Sequence, residues 1–536
     1  MIAARRKNTS LGSDFSLRDC SRNIHESFGL TLTRRSRSGK SIAMTGPLPL
    51  HLLFLAAFVS LSGCASASRE GLPPGSPFAE TAAASANLLP QGIAVGDVTS
   101  QSALLWLRTD GPMMVQLEWA PVAAWDIVSK MATAVAPVAR SPLFTTGSES
   151  DFTLAVPLEG LTTATRYRLY VSVGTKGREG TSTEARVAAR AEFTTLPDAK
   201  SHVPMTLAWS GDLGGQGRCR RGAAGYPIFD VMRAQQLDFF LFLGDTMYSD
   251  SLCPSPPNEP GADFLATTLA EYRARHRYQR GAEALRRFLE ATPVYAIWDD
   301  HEVRNNFAGP FETQMPVGRQ ALREYWPIRV ASDNPQRLYR TVRAGADLEV
   351  FILDTRQYRS SNADRDGPAK TMLGEQQLQW LLSGLTKSTA TWKVIVTTVP
   401  LSIPTGGGVS VPGNDGWAGG PDGTGFERER QVIVDCILGR AVKNVVFLAG
   451  DVHYVQANAY DPNGDGIPDF HEFVVGPLSA APGHLTPASV ELRPTTLIHE
   501  GGYMNFGLIR VTKASFDVTV LDEAGTTRFS HHLAAR

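Results

Sequence analysis

Cysteine is scarce in this chain, with five residues among 536. No two of them have the spacing of a zinc finger, so a zinc-finger module is excluded. Positive charge is not in surplus either, because 52 Lys and Arg residues face 53 Asp and Glu residues and the formal net charge is −1 at pH 7. Such a chain gives no electrostatic reason to expect a nucleic-acid partner. With 20% charged and 43% hydrophobic residues, its composition is that of a globular protein.

Long apolar runs are also missing. The strongest candidate, residues 48–63, is too short and too interrupted for a comfortable transmembrane helix. It follows a cluster of Arg and Lys residues and ends in small residues, which is typical of an export signal. The next residue, Cys64, completes a sequence that resembles the lipobox of bacterial lipoproteins. We predict an export signal with lipobox over residues 1–64 and a lipid-anchored protein of the periplasm or outer membrane. Ordinary signal-peptidase cleavage near residues 65–67 is the alternative.

The rest of the chain divides into three regions that differ in composition and in hydrophobic pattern. Residues 65–88 consist largely of Ala, Ser, Gly and Pro, as expected of a flexible tether. Over residues 89–197, short β-type runs alternate with turn residues, which predicts a β-sandwich that resembles fibronectin type III modules. Over residues 205–536, strands alternate with helical stretches, which predicts a layered α/β domain.

Three cysteines remain after a signal that ends at Cys64: Cys219, Cys253 and Cys436. In an oxidising compartment two of them can pair. Cys219 and Cys253 each follow a loop that is a candidate for the functional site. A disulfide between them is therefore one prediction, and two free thiols are the other.

Four apolar runs of the α/β domain each stop at a carboxylate, and two of these carboxylates precede a histidine by one or two positions. The residues are Asp212, Asp245, Asp300 with His301, and Asp451 with His453. Because open α/β sheets place functional groups at the carboxyl ends of their strands, we expect these side chains to gather along one edge. Carboxylates with imidazole suit zinc, iron or manganese, and a carboxylate shared by two cations can clamp a phosphoryl group. The sequence thus predicts a metal site.

Tyr248 bears on the choice of metal. It stands three residues after Asp245, where one helical turn or a tight loop returns its phenol to the same side. A phenolate is a hard, strongly donating ligand that favours trivalent iron. The alternative is a tyrosine packed under the loop and hydrogen-bonded through its hydroxyl. Asp451 and His453 occupy alternate positions after a strand, so we expect both to face the same way.

Six motifs carry a family resemblance. They are residues 244–248 (GDTMY), 298–306 (WDDHEVRNN), 353–359 (LDTRQYR), 373–380 (LGEQQLQW), 415–419 (DGWAG) and 450–453 (GDVH). In this order they resemble the motifs of alkaline phosphatase D (PhoD-like) enzymes, a family of calcineurin-like metallophosphoesterases. The resemblance implies a four-layer α/β/β/α catalytic domain that hydrolyses phosphate monoesters and diesters outside the cytoplasm, with ferric iron and calcium as cofactors.

The resemblance also assigns roles by position. The residues implied for iron are Asp245, Tyr248, Asp451 and His453, with Asp245 shared between two metals. The residue implied near the second metal is Asp300 or Asn305, and those implied near the substrate phosphate are His301 and Arg356. Many members of the family end the first strand with a cysteine that binds iron. Asp212 holds that place here, and we expect it to replace the cysteine as a ligand.

Residues 461–472 fit the twelve-position pattern of a calcium loop. The oxygen ligands would come from Asp461, Asn463, Asp465, Asp469 and Glu472. The helices that usually flank such a loop are not expected, since the residues that follow have the pattern of a strand. We predict an additional structural calcium here.

Three functional hypotheses remain open. The first is an exported metallophosphoesterase that hydrolyses a small phosphate ester by attack of a metal-activated hydroxide. The second is a phosphodiesterase or phospholipase that acts on lipid or nucleotide diesters with the same ligands. The third is a non-catalytic, calcium-dependent surface-binding lipoprotein. The sequence favours the first.

Overall fold

A computed structural model describes residues 88–125, 138–176, 182–222, 224–406, 413–420 and 422–536. The predicted export signal and lipobox, and all of the predicted tether except residue 88, lie outside the described residues. Within the described ranges, we find no helix that is both long enough and apolar enough to cross a bilayer.

We number the strands and the α-helices in chain order. The strands are β1 (Ile93–Gly96), β2 (Ala103–Arg108), β3 (Met114–Pro121), β4 (Ala139–Arg140), β5 (Phe144–Thr145), β6 (Thr153–Leu158), β7 (Arg166–Lys176), β8 (Ser182–Thr194), β9 (Met205–Ser210), β10 (Phe239–Leu243), β11 (Val294–Ile297), β12 (Arg340–Ala344), β13 (Leu348–Ile352), β14 (Trp392–Val396), β15 (Val445–Ala449), β16 (Val455–Tyr460), β17 (Phe470–Val474), β18 (Pro494–Glu500), β19 (Asn505–Val511), β20 (Ser515–Asp522) and β21 (Thr527–Ala534). The helices are α1 (Ile228–Ala234), α2 (Leu269–Arg280), α3 (Glu283–Ala291), α4 (Met315–Tyr325), α5 (Gly374–Lys387) and α6 (Glu427–Gly439).

Parallel strands in two large sheets position the site. The larger sheet has the order β21-β20-β19-β9-β10-β11-β1-β2-β6, and its strands β9, β10 and β11 are parallel. The second sheet has the order β12-β13-β14-β15-β17-β16-β18, with β13, β14, β15 and β17 parallel. Strands β10 and β15 are buried at every position, as expected of parallel strands covered on both faces. Because parallel strands end at the same edge, the residues that follow β9, β10 and β11 come together there.

Helices pack against both large sheets. Phe288 of α3 contacts Phe240 of β10, with ring centroids 5.4 Å apart, and Phe229 of α1 packs on the same Phe288 ring at 5.3 Å. Trp380 of α5 packs against Phe351 of β13 at 5.8 Å. Buried side chains of both sheets belong to one hydrophobic core. The protein therefore has a mixed α/β fold.

The N-terminal strands are joined to this fold by hydrogen bonds. β1 pairs in parallel with β11 through Gly96 and Val294, and it pairs antiparallel with β2, which pairs with β6. A side chain at position 96 would lie 2.5 Å from the Val294 carbonyl oxygen, so glycine is needed for this approach. Strands β3, β4, β5, β7 and β8 form a third sheet. Because three of the N-terminal strands extend the larger sheet, the boundary predicted after residue 197 is not a break in that sheet. The resemblance to fibronectin type III and the domain bounds stay predictions.

Cys219 and Cys253 form a disulfide, with their Cα atoms 6.0 Å apart, which decides between the two alternatives for this pair. The bond joins the segment after β9 to the segment after β10. The backbone N–H of Gln216 also donates to the Ser251 hydroxyl, at 2.6 Å, between the same two segments. Both segments carry residues of the site.

Candidate metal centre

A cavity of about 520 Å³ opens where the strand ends of the two large sheets meet. Asp212 follows β9, Asp245 follows β10, and Asp300 with His301 follows β11. Asp451 and His453 follow β15 in the other sheet. The cavity lining includes Asp245, Asp300, His301, Asn305, Asn306, Asp451 and His453. The structure therefore brings together the strand-end carboxylates and histidines that the sequence singled out.

Asp212, Asp245 and His453 form the first of two cation subsites. One potential ligand atom from each lies within 4.8 Å of the others. The Nε2 atom of His453 lies 3.4 Å from Asp212 Oδ1 and 2.9 Å from the Tyr248 hydroxyl. Its Nδ1 atom lies 2.6 Å from the Ala481 carbonyl oxygen and donates to it. This hydrogen bond fixes the tautomer in which the Nε2 lone pair is free to bind a cation.

The phenol of Tyr248 is held in this subsite from both faces of its ring. On one side the backbone of Gly215 approaches so closely that a Cβ atom there would lie 2.1 Å from the ring. On the other side the His301 imidazole stacks on it, with centroids 4.1 Å apart. Burial, followed by the charge of Asp245, raises the pKa of the Tyr248 phenol well above its usual range. Phenolate ligation at this position therefore needs a highly charged cation.

The second subsite is centred on Asp300, which belongs to two groups of potential ligand atoms. One group joins it to Asp245 and His301, and the other joins it to Asp299 and Asp451. Asp245 therefore belongs to a group in each subsite, and its role as a shared ligand stays a prediction. Carboxylate oxygens, which calcium prefers as ligands, predominate in these two groups.

The placement of Asp451 corrects the assignment to iron. Its carboxylate groups with Asp299 and Asp300 and not with His453. The sequence argument assumed extended backbone, in which alternate side chains face the same way. The backbone at both residues is left-handed instead, with φ 71° at Asp451 and 59° at His453, so the two side chains diverge into different subsites.

Left-handed backbone also occurs at Asp212 (φ 64°) and Asp245 (φ 50°). Each such residue costs on the order of 1–3 kcal/mol, so the surrounding structure must hold it. Glu302, which is buried, does so by accepting hydrogen bonds from the backbone N–H groups of Asp245, Thr246 and Asp299 at 2.6–3.1 Å. Backbone strain concentrated at candidate ligands is typical of a functional site.

The donor set fits metal ions. Three buried carboxylate oxygens, Asp212 Oδ2, Asp299 Oδ2 and Asp300 Oδ1, have no hydrogen-bond partner among the described residues. Burial is the main cause that raises the pKa of Asp245 and Asp451 well above the usual range, and neighbouring carboxylates add to it. Buried carboxylates this close together require positive charge. Two cations with Asp245 between them would supply it.

His301 lies on the cavity wall beside these subsites. Its Nδ1 atom donates to Asp250 Oδ1 at 2.7 Å, and Asp250 Oδ2 accepts from the Asn305 N–H at 2.6 Å. Burial opposes protonation of the imidazole, but Asp300 and Asp250 outweigh it and raise the pKa of His301 to about 9. Nε2 is left as the ring atom that can hold or release a proton. Asn305 and Asn306 also line the cavity, and Asn306 donates its N–H to Asp300 Oδ2 at 2.5 Å.

Arg356, which the resemblance implies near the substrate phosphate, is buried behind the cavity lining. Its side chain is 0% exposed and does not line the cavity. The guanidinium donates to Asp299 at 2.6 Å and to both oxygens of Asp415 at 2.5 and 2.7 Å. The guanidinium therefore lies behind the cavity lining, and a role for Arg356 near the substrate phosphate stays a prediction. The motif around Arg356 does not reveal that its side chain points inward.

One of the five predicted ligands of the calcium loop, Glu472, does not face the loop. Glu472 is buried within β17, where it accepts from the Leu401 N–H and from the Tyr460 hydroxyl, both at 2.6 Å. It therefore does not face the loop formed by the other predicted ligands, because strand pairing orients it inward. Asp461, Asn463, Asp465 and Asp469 do lie together, and Asn463 Nδ2 donates to Asp469 at 3.0 Å. Calcium binding by these four residues stays a prediction.

Four residues of the site were missed from sequence: Asp250, Asp299, Asn306 and Asp415. All four lie inside or directly beside the motifs. Asp299 and Asn306 belong to residues 298–306, Asp415 begins residues 415–419, and Asp250 stands two residues after Tyr248. Their positions in the sequence were a usable signal. The buried contact of Asp415 with Arg356 was not visible from sequence.

The chain matches the models of a known protein family. The family model described as PhoD-like phosphatase matches residues 213–509, and the model for the N-terminal domain of PhoD-like phosphatases matches residues 75–197. Alkaline phosphatase D of Bacillus subtilis (strain 168) is 31% identical in an alignment of length 297 that covers 48% of this chain and 48% of that protein. The match thus spans about half the length of that curated relative.

Two solved structures share the fold. A structure of PhoD superposes with a TM-score of 0.64 at 22% identity, covering 84% of this chain and 93% of that one. The purple acid phosphatase PPD1 from yellow lupin (Lupinus luteus) seeds superposes with a TM-score of 0.57 at 11% identity, covering 83% of this chain and 75% of that one. Because the family model matches more than half of the chain, this protein belongs to the PhoD-like phosphatase family.

Proposed function

We propose that this protein is an exported, metal-dependent phosphoesterase that hydrolyses small phosphate monoesters or diesters. One observation carries the proposal: two adjoining cation subsites share Asp245 at the floor of an open cavity, with His301 on its wall. When bound, two such cations supply positive charge against the phosphoryl oxygens and a hydroxide nucleophile near neutral pH. The family membership supports the same reaction class.

The residues around the cavity have separate proposed roles in binding the cations, donating a proton and contacting the substrate. Asp212, Asp245, Tyr248 and His453 would hold the first cation, and Asp245, Asp300 and Asp451 would hold the second. His301, oriented by Asp250, donates a proton from Nε2 to the departing oxygen of the ester. Asn305 and Asn306 offer amide groups on the wall beside it.

The donor chemistry supports ferric iron in the first subsite and calcium in the second. A phenol together with an imidazole and carboxylates favours a trivalent, strongly polarising cation, and a buried phenol becomes a ligand only beside such a charge. The carboxylates that predominate in the second subsite favour a hard divalent cation.

The cavity walls bear on the substrate. The part of the lining that the structure describes contains no Lys or Arg, and residues 407–412, next to Gly406 of the lining, contain none in sequence. The phosphate charge is therefore met by the cations and by histidine, which suits a monoester and a diester alike.

The apolar run at residues 48–63 and the disulfide both support export of the protein. Disulfides persist in oxidising compartments and are rare in the cytosol. The bond between Cys219 and Cys253 therefore supports a location outside the cytoplasm, with Cys64 as the proposed point of lipid attachment.

Removal of the metals tests the reaction. Protein loaded with iron and Ca²⁺ is assayed with p-nitrophenyl phosphate and with bis(p-nitrophenyl) phosphate, before and after treatment with chelator. We expect hydrolysis of at least one ester, its loss in chelator, and its return on addition of Ca²⁺. Loaded protein that hydrolyses neither ester would contradict the proposal, and the ratio of the two rates decides between monoester and diester.

A further inference from the structure

Arg356 lies at the centre of a buried set of carboxylates behind the second subsite. It follows β13 and is enclosed by Asp299 on one side and Asp415 on the other. Its Nε atom donates to Asp299 Oδ1 at 2.6 Å, and Nη1 and Nη2 donate to the two oxygens of Asp415 at 2.5 and 2.7 Å. Three hydrogen bonds of this geometry fix the plane of the guanidinium.

The same guanidinium faces the second cation subsite. Its Nη2 atom lies 4.0 Å from Asp300 Oδ1 and 4.0 Å from Asp451 Oδ1. These distances are too long for hydrogen bonds but short enough for strong attraction between charges in a buried site. Both carboxylates are proposed ligands of the second cation, so one fixed positive charge is equidistant from both.

Asp299, Asp300 and Asp451 would otherwise repel one another. Their ligand oxygens lie within 4.8 Å of each other, which on geometry alone also describes a possible metal site. Arg356 already places a positive charge in this group, and Thr398 donates to Asp299 at 2.5 Å. A metal ion between Asp299 and the guanidinium would be repelled by it, which leaves Asp300 and Asp451 to face the cavity.

We propose that Arg356 is the positioning residue of the second cation subsite, where it acts as a fixed cation that sets the spacing of Asp300 and Asp451. It touches no substrate. This inference rests on the proposed function only in so far as that function needs a second cation, and it can be tested by cation binding alone.

Lysine at position 356 would keep the charge but lose the planar fork that binds Asp415 and Asp299 together. The spacing of the Asp300 and Asp451 carboxylates would then no longer be fixed by the guanidinium. Substitution of a residue that orients metal ligands typically lowers metal affinity about 10- to 100-fold. We expect a loss in this range for Arg356→Lys and also for Arg356→Gln, because both variants lose the fork that is anchored on Asp299 and Asp415.

The test is calorimetric titration of Ca²⁺ into the full chain after exchangeable divalent ions have been removed with chelator. The Asp300→Asn variant identifies which binding event belongs to the second subsite, which separates it from any binding at residues 461–469. Arg430→Lys is the matched control, because Arg430 is also fully buried but donates to the Leu401 carbonyl at 2.6 Å and contacts none of the proposed ligands. Its Ca²⁺ affinity should stay within about twofold of wild type.

A folded Arg356→Lys variant with wild-type Ca²⁺ affinity at the Asp300-dependent event would overturn the inference. Should the Arg356 variants fail to fold, Asp415→Asn releases one anchor of the guanidinium and must weaken the same event, and an unchanged affinity would again overturn it. A wild-type protein that binds Ca²⁺ in this Arg356-dependent way but hydrolyses no ester would refute the proposed function and leave the inference standing.

Discussion

His301 Nδ1 lies 2.7 Å from Asp250 Oδ1, so the imidazole on the cavity wall is oriented by a carboxylate that is not a proposed metal ligand. Burial opposes ionisation of Asp250, but the charge of His301 outweighs it and lowers the pKa of the carboxyl. The pair therefore favours an ionised Asp250 beside a protonated imidazole. This is the protonation state that a proton donor to a departing oxygen requires.

The first prediction concerns this pair. Asp250→Asn keeps an acceptor for Nδ1 but removes the charge that favours the protonated ring. We expect kcat to fall about tenfold or more for an alkyl phosphate, whose departing oxygen needs a proton, and less for p-nitrophenyl phosphate, whose departing oxygen does not. The measurement is the ratio of the two kcat values in wild type and variant.

The control for this prediction is Asp347→Asn. Asp347 accepts from His202 Nδ1 at 2.8 Å, the same type of contact, and does not line the cavity. Equal losses for both substrates in Asp250→Asn would show that His301 does not act as the proton donor.

A second prediction concerns Tyr248 and the identity of the first cation. If the phenolate binds ferric iron, the purified protein absorbs visible light through charge transfer from the ligand to the metal. Tyr248→Phe should then be colourless and retain less iron, while the fold is kept, because the ring remains between Gly215 and His301. The absorption spectrum and metal analysis check this. A variant with the wild-type spectrum would exclude Tyr248 as a ligand.

A third prediction concerns Glu429 of α6 and stability. Burial is the main cause that raises the pKa of Glu429 from 4.5 to about 7, although the Leu373 N–H donates to it at 2.8 Å. Since the folded-state pKa is higher than the unfolded one, the folded state keeps this proton between pH 4.5 and 7 while the unfolded state releases it. Stability from this group is therefore full below pH 4.5 and falls as the pH rises to 7.

Glu429→Gln imitates the protonated form and should remove this loss. We expect its unfolding free energy to gain about 3 kcal/mol relative to wild type as the pH rises from 4.5 to 8, from 1.36 kcal/mol per pKa unit over the interval from 4.5 to about 7. Denaturant unfolding at several pH values measures the difference. A difference between variant and wild type that does not change with pH would contradict the account.

Several residues of the centre could be predicted from sequence because their strands are unbroken apolar runs. The apolar run of β10 stops where the strand ends, so Asp245 could be placed at the edge of the sheet from sequence alone. The pairing of Asp451 with Asp300 could not be predicted, because it depends on left-handed backbone that no local pattern reveals. The inward orientation of Arg356 could not be predicted either, because burial is decided by partners distant in sequence, here Asp299 and Asp415.

In the fold, too, local elements could be predicted from sequence but contacts between distant segments could not. The alternation of strands and helices indicated an α/β domain, and short β-type runs indicated the N-terminal strands. The pairing of β1 with β11 joins Gly96 to Val294 across almost two hundred residues, and neither segment encodes its partner. Glu472 is a related case, since its place in β17 overrides the spacing that matched a calcium loop.

Asp245 carries the central claim, because both proposed cations depend on its carboxylate. Asp245→Asn should bind neither cation and should lose several kcal/mol of transition-state stabilisation, so hydrolysis should fall about 1,000-fold or more. Asp238→Asn is the matched control at the opposite end of the same strand, where Asp238 accepts from the Thr206 N–H at 2.7 Å.

The most direct measurement is the rate of ester hydrolysis by folded Asp245→Asn protein, with its metal content determined on the same sample. The account predicts loss of both metals and of activity in Asp245→Asn, with metals and activity kept in Asp238→Asn. Wild-type hydrolysis by Asp245→Asn would contradict it.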